Sequence, residues 1–309
     1  MTEKTLDILC LGEPLGEFNR TAGGLVFGHG GDVSNAAIAA ARQGAKVGMA
    51  TALGTDGVGR SFLELWACEG VSTEHVVTVS DAPTGVYMVD HGPDGHRFSY
   101  WRAGSAASRM RPGDLPVAAV ATARILHVSA ISQAISPDAC DLVFEAIENA
   151  HAHECLVSYD TNLRLKLWPL PRARAIIQAT AAMADVVLPG LDDARQLTGR
   201  DEPDAIADAY LDAGAKVVGL TLGAEGALIA TAQRRERVKA PKVEAVDATG
   251  AGDCFDGTFL AEYLRGGDPF AAGRYAVVAA ALSTEGFGAV APIPTRDAVE
   301  TRLTREARG

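Results

Sequence analysis

Cross-linking chemistry is scarce in this sequence. Its five cysteines (Cys10, Cys68, Cys140, Cys155 and Cys254) lie far apart with no Cys-x-x-Cys spacing, which argues against a thiolate metal site and fits reduced thiols. No stretch approaches the roughly 20 consecutive apolar residues of a membrane-spanning helix. Basic charge is also short: 28 Lys+Arg stand against 39 Asp+Glu, a formal net charge of −11. That balance argues against a general nucleic-acid or anionic-membrane surface, while a few local Arg or Lys still suffice for an anionic small substrate. There is no internal repeat and no low-complexity linker. Met1-Thr2-Glu3-Lys4 leads into a short apolar run broken by Asp7, which reads as a strand rather than a leader, so the expectation is a cytoplasmic protein. Glycine is abundant instead, 33 of 309 residues against an average near 7%, and implies loops with unusual backbone angles or close approach to a ligand.

Short apolar runs at 6–11, 46–52, 124–129, 156–160, 186–188 and 217–222 read as strands. They alternate with helical patterns at 33–42, 137–151, 172–184 and 204–213. Such alternation predicts βαβ units and a mainly parallel sheet flanked by helices, with ligands beyond the carboxyl ends of the strands. One region breaks the rhythm. Residues 84–90 and 96–102 flank Gly92-Pro93-Asp94-Gly95 and read as a β-hairpin; with the extended stretch around 18–27 it predicts a small sheet projecting from the main one. The charged tail, 302–309, is expected to fray.

The segment Asp247-Ala248-Thr249-Gly250-Ala251-Gly252-Asp253-Cys254-Phe255 follows an apolar run ending at Val246 and opens a helical pattern at 254–264. Gly250 and Gly252 permit a tight turn whose N–H groups point outward at a helix start, and such a site holds an anion. Asp253 at that start is placed to accept a proton from a hydroxyl attacking a held phosphoryl group. A plain helix N-terminus with a dipole-favoured Asp accounts for the same residues equally well. No Gly-x-x-x-x-Gly-Lys-[Ser/Thr] occurs, and the dinucleotide-like Gly286-Phe287-Gly288-Ala289-Val290-Ala291 runs into Pro292 and Pro294 where a helix should follow.

At these residues the chain resembles the ribokinase-type (PfkB) carbohydrate kinases over nearly its whole length. The family's second signature looks like Asp247 to Phe255, and its first looks like Gly30-Gly31-Asp32-Val33-Ser34-Asn35-Ala36-Ala37. Gly54-Thr55-Asp56-Gly57-Val58-Gly59 also fits. The resemblance implies one ribokinase-like α/β domain over 1–309 with lid segments near 14–30 and 84–102. It implies ATP and Mg2+ as cofactors and leaves a monovalent cation open. Asp253 would be the base, with Gly250, Ala251 and Gly252 as the anion hole. Thr221-Leu222-Gly223-Ala224-Glu225-Gly226 looks like the nucleotide loop, although many relatives carry Lys at the place of Thr221. Thr221, Gly223, Gly226, Asn162, Thr249, Ser283 and Gly286 are the nucleotide-side candidates. Asp193 stands for the magnesium-linked Glu of relatives, whose partner Asn is replaced by Gly190.

On the acceptor side the resemblance gives Glu17 as the acidic sugar ligand, with Gly31 and Asn35 reading hydroxyls. Alternation along the hairpin puts Phe98, Tyr100 and Arg102 on one face, with Tyr87 on the partner strand. Arg102 and Arg164 together suit a carboxylate. Gly12-Glu13-Pro14-Leu15, Gly85-Val86-Tyr87, Tyr100 to Ala107, and Asp160-x-Asn162-x-Arg164-x-x-Leu167-Trp168 narrow the resemblance to 2-keto-3-deoxygluconate kinases. A kinase for fructose or another neutral sugar and a non-catalytic sugar or nucleotide sensor stay open. The bare strands of the lid suggest a homo-oligomer.

Overall fold

The computed structural model describes residues 3–21, 23–92 and 95–306. Its strands in chain order are β1 (Leu6–Leu11), β2 (Leu15–Thr21), β3 (Gly24–Gly30), β4 (Val47–Gly54), β5 (Ser72–Val79), β6 (Val86–Gly92) and β7 (Gly95–Trp101). They continue with β8 (Ala123–Ser129), β9 (Leu156–Asp160), β10 (Val186–Leu188), β11 (Val217–Thr221), β12 (Ala227–Ala230) and β13 (Arg235–Val238). The helices are α1 (Asp32–Arg42), α2 (Gly57–Glu69), α3 (Val117–Ala121), α4 (Ala130–Ala134), α5 (Pro137–Ala152) and α6 (Leu170–Ala181). After them come α7 (Leu191–Thr198), α8 (Pro203–Ala213), α9 (Ala251–Gly266), α10 (Pro269–Ser283) and α11 (Arg296–Glu306).

The large sheet has the order β13-β12-β11-β10-β9-β8-β1-β4-β5. From β5 to β11 every pairing is parallel, and β12 and β13 close one edge antiparallel. Parallel strands are covered on both faces, which is why β1 and β4 read as continuous apolar runs: Ile8, Leu9, Cys10 and Leu11 are at most 2% exposed. Two cores result, one under α3, α5, α6 and α8, the other under α1, α2, α9 and α10. A smaller sheet, β3-β2-β6-β7, projects from the strand ends. The predicted hairpin is there as β6 and β7, and the extended stretch pairs with it as β2 and β3. Pro93 and Asp94 of its turn, and residues 307–309 of the tail, lie outside the described residues.

Several expected boundaries move for identifiable reasons. The hairpin begins at Val86 rather than Thr84, because Thr84 is used to dock the lid. Its N–H donates to Asp56 Oδ2 at 2.7 Å and its Oγ1 accepts from Gly54 N at 3.0 Å. Asp56 also caps α2 through Gly59 N, so the Gly54–Gly59 motif is a helix cap and a lid anchor at once. The apolar run ending at Val246 is coil, from which Val246 and Asp247 donate their N–H groups to the Thr284 carbonyl. Helix α10 was not foreseen, since it is apolar on nearly every side and so shows no amphipathic period. Among the described residues no helix is long and apolar enough to cross a membrane.

One packing contact positions the site. A Cβ on Gly257 of α9 would lie 2.0 Å from the Ala36 carbonyl oxygen and 2.9 Å from Ala39 Cβ of α1, so the two helices touch backbone to backbone. Gly257→Ala must force them apart. The expected result is a loss of about 2 kcal/mol or more in unfolding free energy, measured by urea denaturation; a midpoint equal to that of the parent protein would contradict this packing role.

Candidate active site

The carboxyl ends of β1, β8, β9, β10 and β11 and the inner face of the lid enclose a cavity of about 770 Å³, within the usual range for small-molecule sites. Its floor is the start of α9. Gly250 is the helix N-cap at φ +76°, and a Cβ there would come within 3.0 Å of the Ala289 backbone, so both conformation and space require glycine. Gly252 differs, because a Cβ on it would meet nothing within 4 Å. This open face leaves the helix end accessible to a ligand. The Gly250 and Gly252 N–H groups make no hydrogen bond with a described residue. The Ala251 N–H donates to the Ala248 carbonyl at 3.2 Å, and Ala251 does not line the cavity. Of the three N–H groups expected at an anion site, the one on Ala251 is thus engaged in the turn that starts the helix.

Asp253 sits in the first turn of α9, and its Oδ2 accepts from Asn35 Nδ2 of α1 at 2.7 Å. Burial pushes its carboxyl up to about 7, and the charge of Asp32 adds to the effect, while the Asn35 hydrogen bond and Arg164 oppose it. A group poised there accepts a proton at neutral pH. Asn35 Oδ1 is buried without a partner, an acceptor facing the same neighbourhood. Asn162 links the next layer: its Nδ2 donates to Asp32 Oδ2 at 3.1 Å and its N–H to Asp160 Oδ1 at 3.0 Å. Asp160 and Asp256 both lie at the cavity, and burial together with neighbouring carboxylates holds each well above the usual carboxylate range.

The lid supplies an aromatic wall. Tyr87 and Tyr100 have ring centroids 5.7 Å apart, and Phe98 lies 6.4 Å from Tyr100. Arg102 lies at the end of β7, and Arg164 follows β9 with its side chain 48% exposed. Of the residues singled out from the sequence, Gly31, Asn35, Tyr87, Tyr100, Arg102, Asn162, Arg164, Asp193, Thr221, Thr249, Gly250, Gly252 and Asp253 line this one cavity.

The others do not. Glu17 is turned away from it and accepts from the Tyr87 hydroxyl, because Glu17 and Tyr87 are neighbours in the β2–β6 pairing; the carboxylate at the cavity is Glu13. Gly223 and Gly226 belong to the turn between β11 and β12. Gly226 needs its φ of +105° and would put a Cβ 2.0 Å from the Val238 carbonyl oxygen, so packing explains that glycine. Ser283 is 2% exposed and donates to the Ala280 carbonyl of its own helix. Gly286 packs on Pro292, which a Cβ would approach to 2.9 Å. Asp193 accepts from the Leu163 N–H at 3.0 Å and faces Arg164 at 3.7 Å. No group of three or more His, Cys, Asp or Glu among the described residues is arranged to hold a metal ion. Asp193 thus lines the cavity while its Oδ2 is engaged by the Leu163 N–H and Arg164.

Sequence reasoning missed Glu13, Asp32, Asp160 and Asp256 as cavity residues. Asp160 ends a predicted strand and Asp32 opens a predicted helix, the positions where α/β folds place ligands. Asp256 follows Asp253 by three residues, the spacing that keeps two side chains on neighbouring faces of a helix.

The pfkB family carbohydrate kinase model matches residues 5–296. The chain is 35% identical over 292 residues to 2-dehydro-3-deoxygluconokinase of Thermoproteus tenax, covering 91% of this chain and 89% of that protein. It is 32% identical to a probable fructokinase-4 of Arabidopsis thaliana, with 97% of each covered. A solved fructokinase from Xylella fastidiosa with bound ATP superposes with a TM-score of 0.89 at 25% identity, over 97% of this chain and 99% of that one.

The raised carboxyl of Asp253 has a stability consequence whose sign is fixed. In the unfolded chain it titrates near 3.8 and in the folded one near 7. The folded state therefore holds its proton more tightly, and that contribution is lost as pH rises through about 7. Asp253→Asn keeps the shape and removes the charge. Thermal melts at pH 8 should find the variant more stable than the parent by about 1–4 kcal/mol, with the gap shrinking as pH falls from about 7 toward 4. A variant less stable at pH 8 would contradict the crowding of charge.

Proposed function

This chain belongs to the pfkB family of carbohydrate kinases and is an ATP-dependent sugar kinase, and from that premise we propose that it phosphorylates the 6-hydroxyl of 2-keto-3-deoxygluconate. The observation that carries the reading is that one cavity is lined both by Asp253 beside the open start of α9 and by two arginines, Arg102 at the end of the lid hairpin and Arg164 after β9. The acceptor hydroxyl loses its proton to Asp253 as its oxygen bonds to the γ-phosphorus. The bond from that phosphorus to the bridging oxygen breaks, ADP departs, and Asp253 returns the proton to solvent. The free N–H groups of Gly250 and Gly252, with the α9 dipole behind them, offset the charge on the transferring group. Thr221, Thr249 and Gly190 line the same cavity and are the residues proposed to meet the nucleotide. Magnesium enters with ATP as the MgATP substrate, and Asp193, which lines the cavity, is the residue proposed to position it.

Arg102 and Arg164 hold the acceptor carboxylate, Tyr87 and Tyr100 pack on its carbon chain, and Asn35 Oδ1 accepts from a hydroxyl. A neutral-sugar acceptor is the second reading. It draws on the ion pair between Arg102 and Glu13, which offsets one of the two cationic charges, and on the likeness to a fructokinase. The five cysteines are free thiols, in keeping with a reducing, cytoplasmic setting.

The deciding experiment is ADP release with MgATP across 2-keto-3-deoxygluconate, its galacto epimer, gluconate, fructose and ribose. The keto-deoxy acid should be preferred at least about tenfold in kcat/KM, one decade being 1.4 kcal/mol of discrimination. Preference for fructose or ribose would discard the acid reading. Asp253→Asn should lower kcat on the best acceptor by about 10³-fold, and undiminished turnover would remove Asp253 from the base role.

A second copy of the chain is the partner proposed for the lid. Its edge strands β3 and β7 carry Leu25, Val26, Phe27 and Trp101, each at least 40% exposed, and bare apolar edges invite pairing. Sedimentation equilibrium should return a dimer that Leu25→Asp with Phe27→Asp converts to monomer; a parent protein that is monomeric at 50 µM (roughly the range where a weak interface would show) contradicts this.

A further inference from the structure

Glu13 is the most deeply enclosed charged side chain at the cavity, and the chemistry above does not use it. It lies two residues past β1, on the rigid central sheet, with its side chain wholly buried. Arg102 Nε donates to Glu13 Oε2 at 2.6 Å, and Nη2 lies in ion-pair contact with the same oxygen. Ser105 Oγ donates to Oε1. Ser105 is itself fixed, since its N–H donates to the Arg102 carbonyl at 3.0 Å and its Oγ accepts from Ser108 N at 3.2 Å. The opposite side of the carboxylate rests on Gly85, where a Cβ would come within 2.8 Å of Oε1. Glu13 is thus built into a socket between the main sheet and the end of the lid hairpin.

The socket fixes the orientation of one guanidinium. The Nε–Nη2 edge of Arg102 is turned to Glu13, and its Nη1 makes no hydrogen bond to a described residue while Arg102 lines the cavity. A planar guanidinium held along one edge can present only its other edge to a ligand. We propose that Glu13 is a specificity-determining positioning residue: it locks Arg102 edge-on so that the remaining N–H donors face the acceptor. The proposal deepens the sugar-acid reading and rests on it for the nature of the acceptor, but not for the coupling between Glu13 and Arg102. Burial raises the Glu13 carboxyl even against the pull of Arg102 and Ser105, so the pair is maintained by geometry at some electrostatic cost rather than as a source of stability.

The test is a double-mutant cycle read in KM. Glu13→Ala should raise the KM for 2-keto-3-deoxygluconate at least tenfold while the KM for MgATP stays within twofold. Glu13→Gln, which can still accept from Arg102 Nε, should recover to within threefold of the parent. In the Arg102→Ala background, adding Glu13→Ala should change the acceptor KM by less than twofold, because nothing is left to position. An equal tenfold rise in that background overturns the proposal, as does a parallel rise in both KM values in the single variant. If Glu13→Ala fails to fold with Arg102 left unpaired, comparing Arg102→Ala with the double variant, in which neither partner is stranded, decides the matter by the same criterion. If the acceptor panel returns a neutral sugar, the acid reading fails by itself. The cycle is then read with that sugar, where coupling supports the positioning role and additivity overturns it.

Discussion

Asn35 and Asp253 stand 218 residues apart in the chain and 2.7 Å apart in space, and the contact exists because α1 and α9 cross with no side chain between them at Gly257. Everything at the floor of the cavity follows from this crossing. It brings two helix N-termini to the same place, so the positive ends of two dipoles face one another across a space that must hold negative groups. Asp32 lies in the first turn of α1 and Asp253 in the first turn of α9; Asp193 is in the first turn of α7. Each carboxylate is worth roughly 0.3–1 kcal/mol more at such a position than elsewhere on a helix. The fold can therefore gather acidic groups here that it could tolerate in few other interiors.

That gathering is still unfavourable for the folded state, and Asp253 shows why it persists. A base for a sugar hydroxyl has to be unprotonated yet proton-hungry, which an ordinary surface carboxylate near 4 is not. Burial and the charge of Asp32 raise it toward neutrality, while the Asn35 amide and Arg164 oppose the rise. The amide also aims the base, since the bonded Oδ2 is committed to Asn35 and only Oδ1 remains for the hydroxyl. Stability given up at the floor is offset in the two cores, where Phe255 and Phe259 of the same helix are at most 1% exposed and each contributes about 1.5–3 kcal/mol by burial.

What the sequence revealed and what it concealed divides along the reach of local geometry. Asp253, Gly250 and Gly252 were legible because a helix start and the donors it leaves free are decided within a few residues, and most parallel strands were legible from apolar run length. The consumption of the Ala251 N–H by Ala248 is equally local, but it depends on how the turn closes, which residue type does not report. Glu17 and Glu13 illustrate the other failure. Both are acidic and both follow the first strand, but it is Glu13 that lines the cavity, because the β2–β6 register sets Glu17 against Tyr87 while Gly85 leaves room for Glu13. Ser283 and Gly226 lie outside the cavity lining, the first bonded within its own helix and the second against the Val238 backbone. Helix α10 shows no period because, apart from Ala271 and Arg274, it is almost entirely apolar and buried or half-buried.

The distribution of charge around the cavity bears on what an arginine can do there. Arg102, Arg164 and Lys166 are opposed by Glu13, Asp32, Asp160, Asp193, Asp253 and Asp256. Six acidic groups thus face three basic ones, and burial with neighbouring carboxylates holds Asp160 and Asp256 well above the usual carboxylate range. A site of this kind does not draw in a carboxylate by its net field. It has to recognise one by the match between fixed donors and two coplanar oxygens, and such a match depends on orientation far more steeply than a long-range attraction does. A freely rotating Arg102 would supply the charge without the match. Compensating its charge with a buried Glu13 sacrifices attraction and retains direction, which favours discrimination among acceptors over tight holding of any one of them.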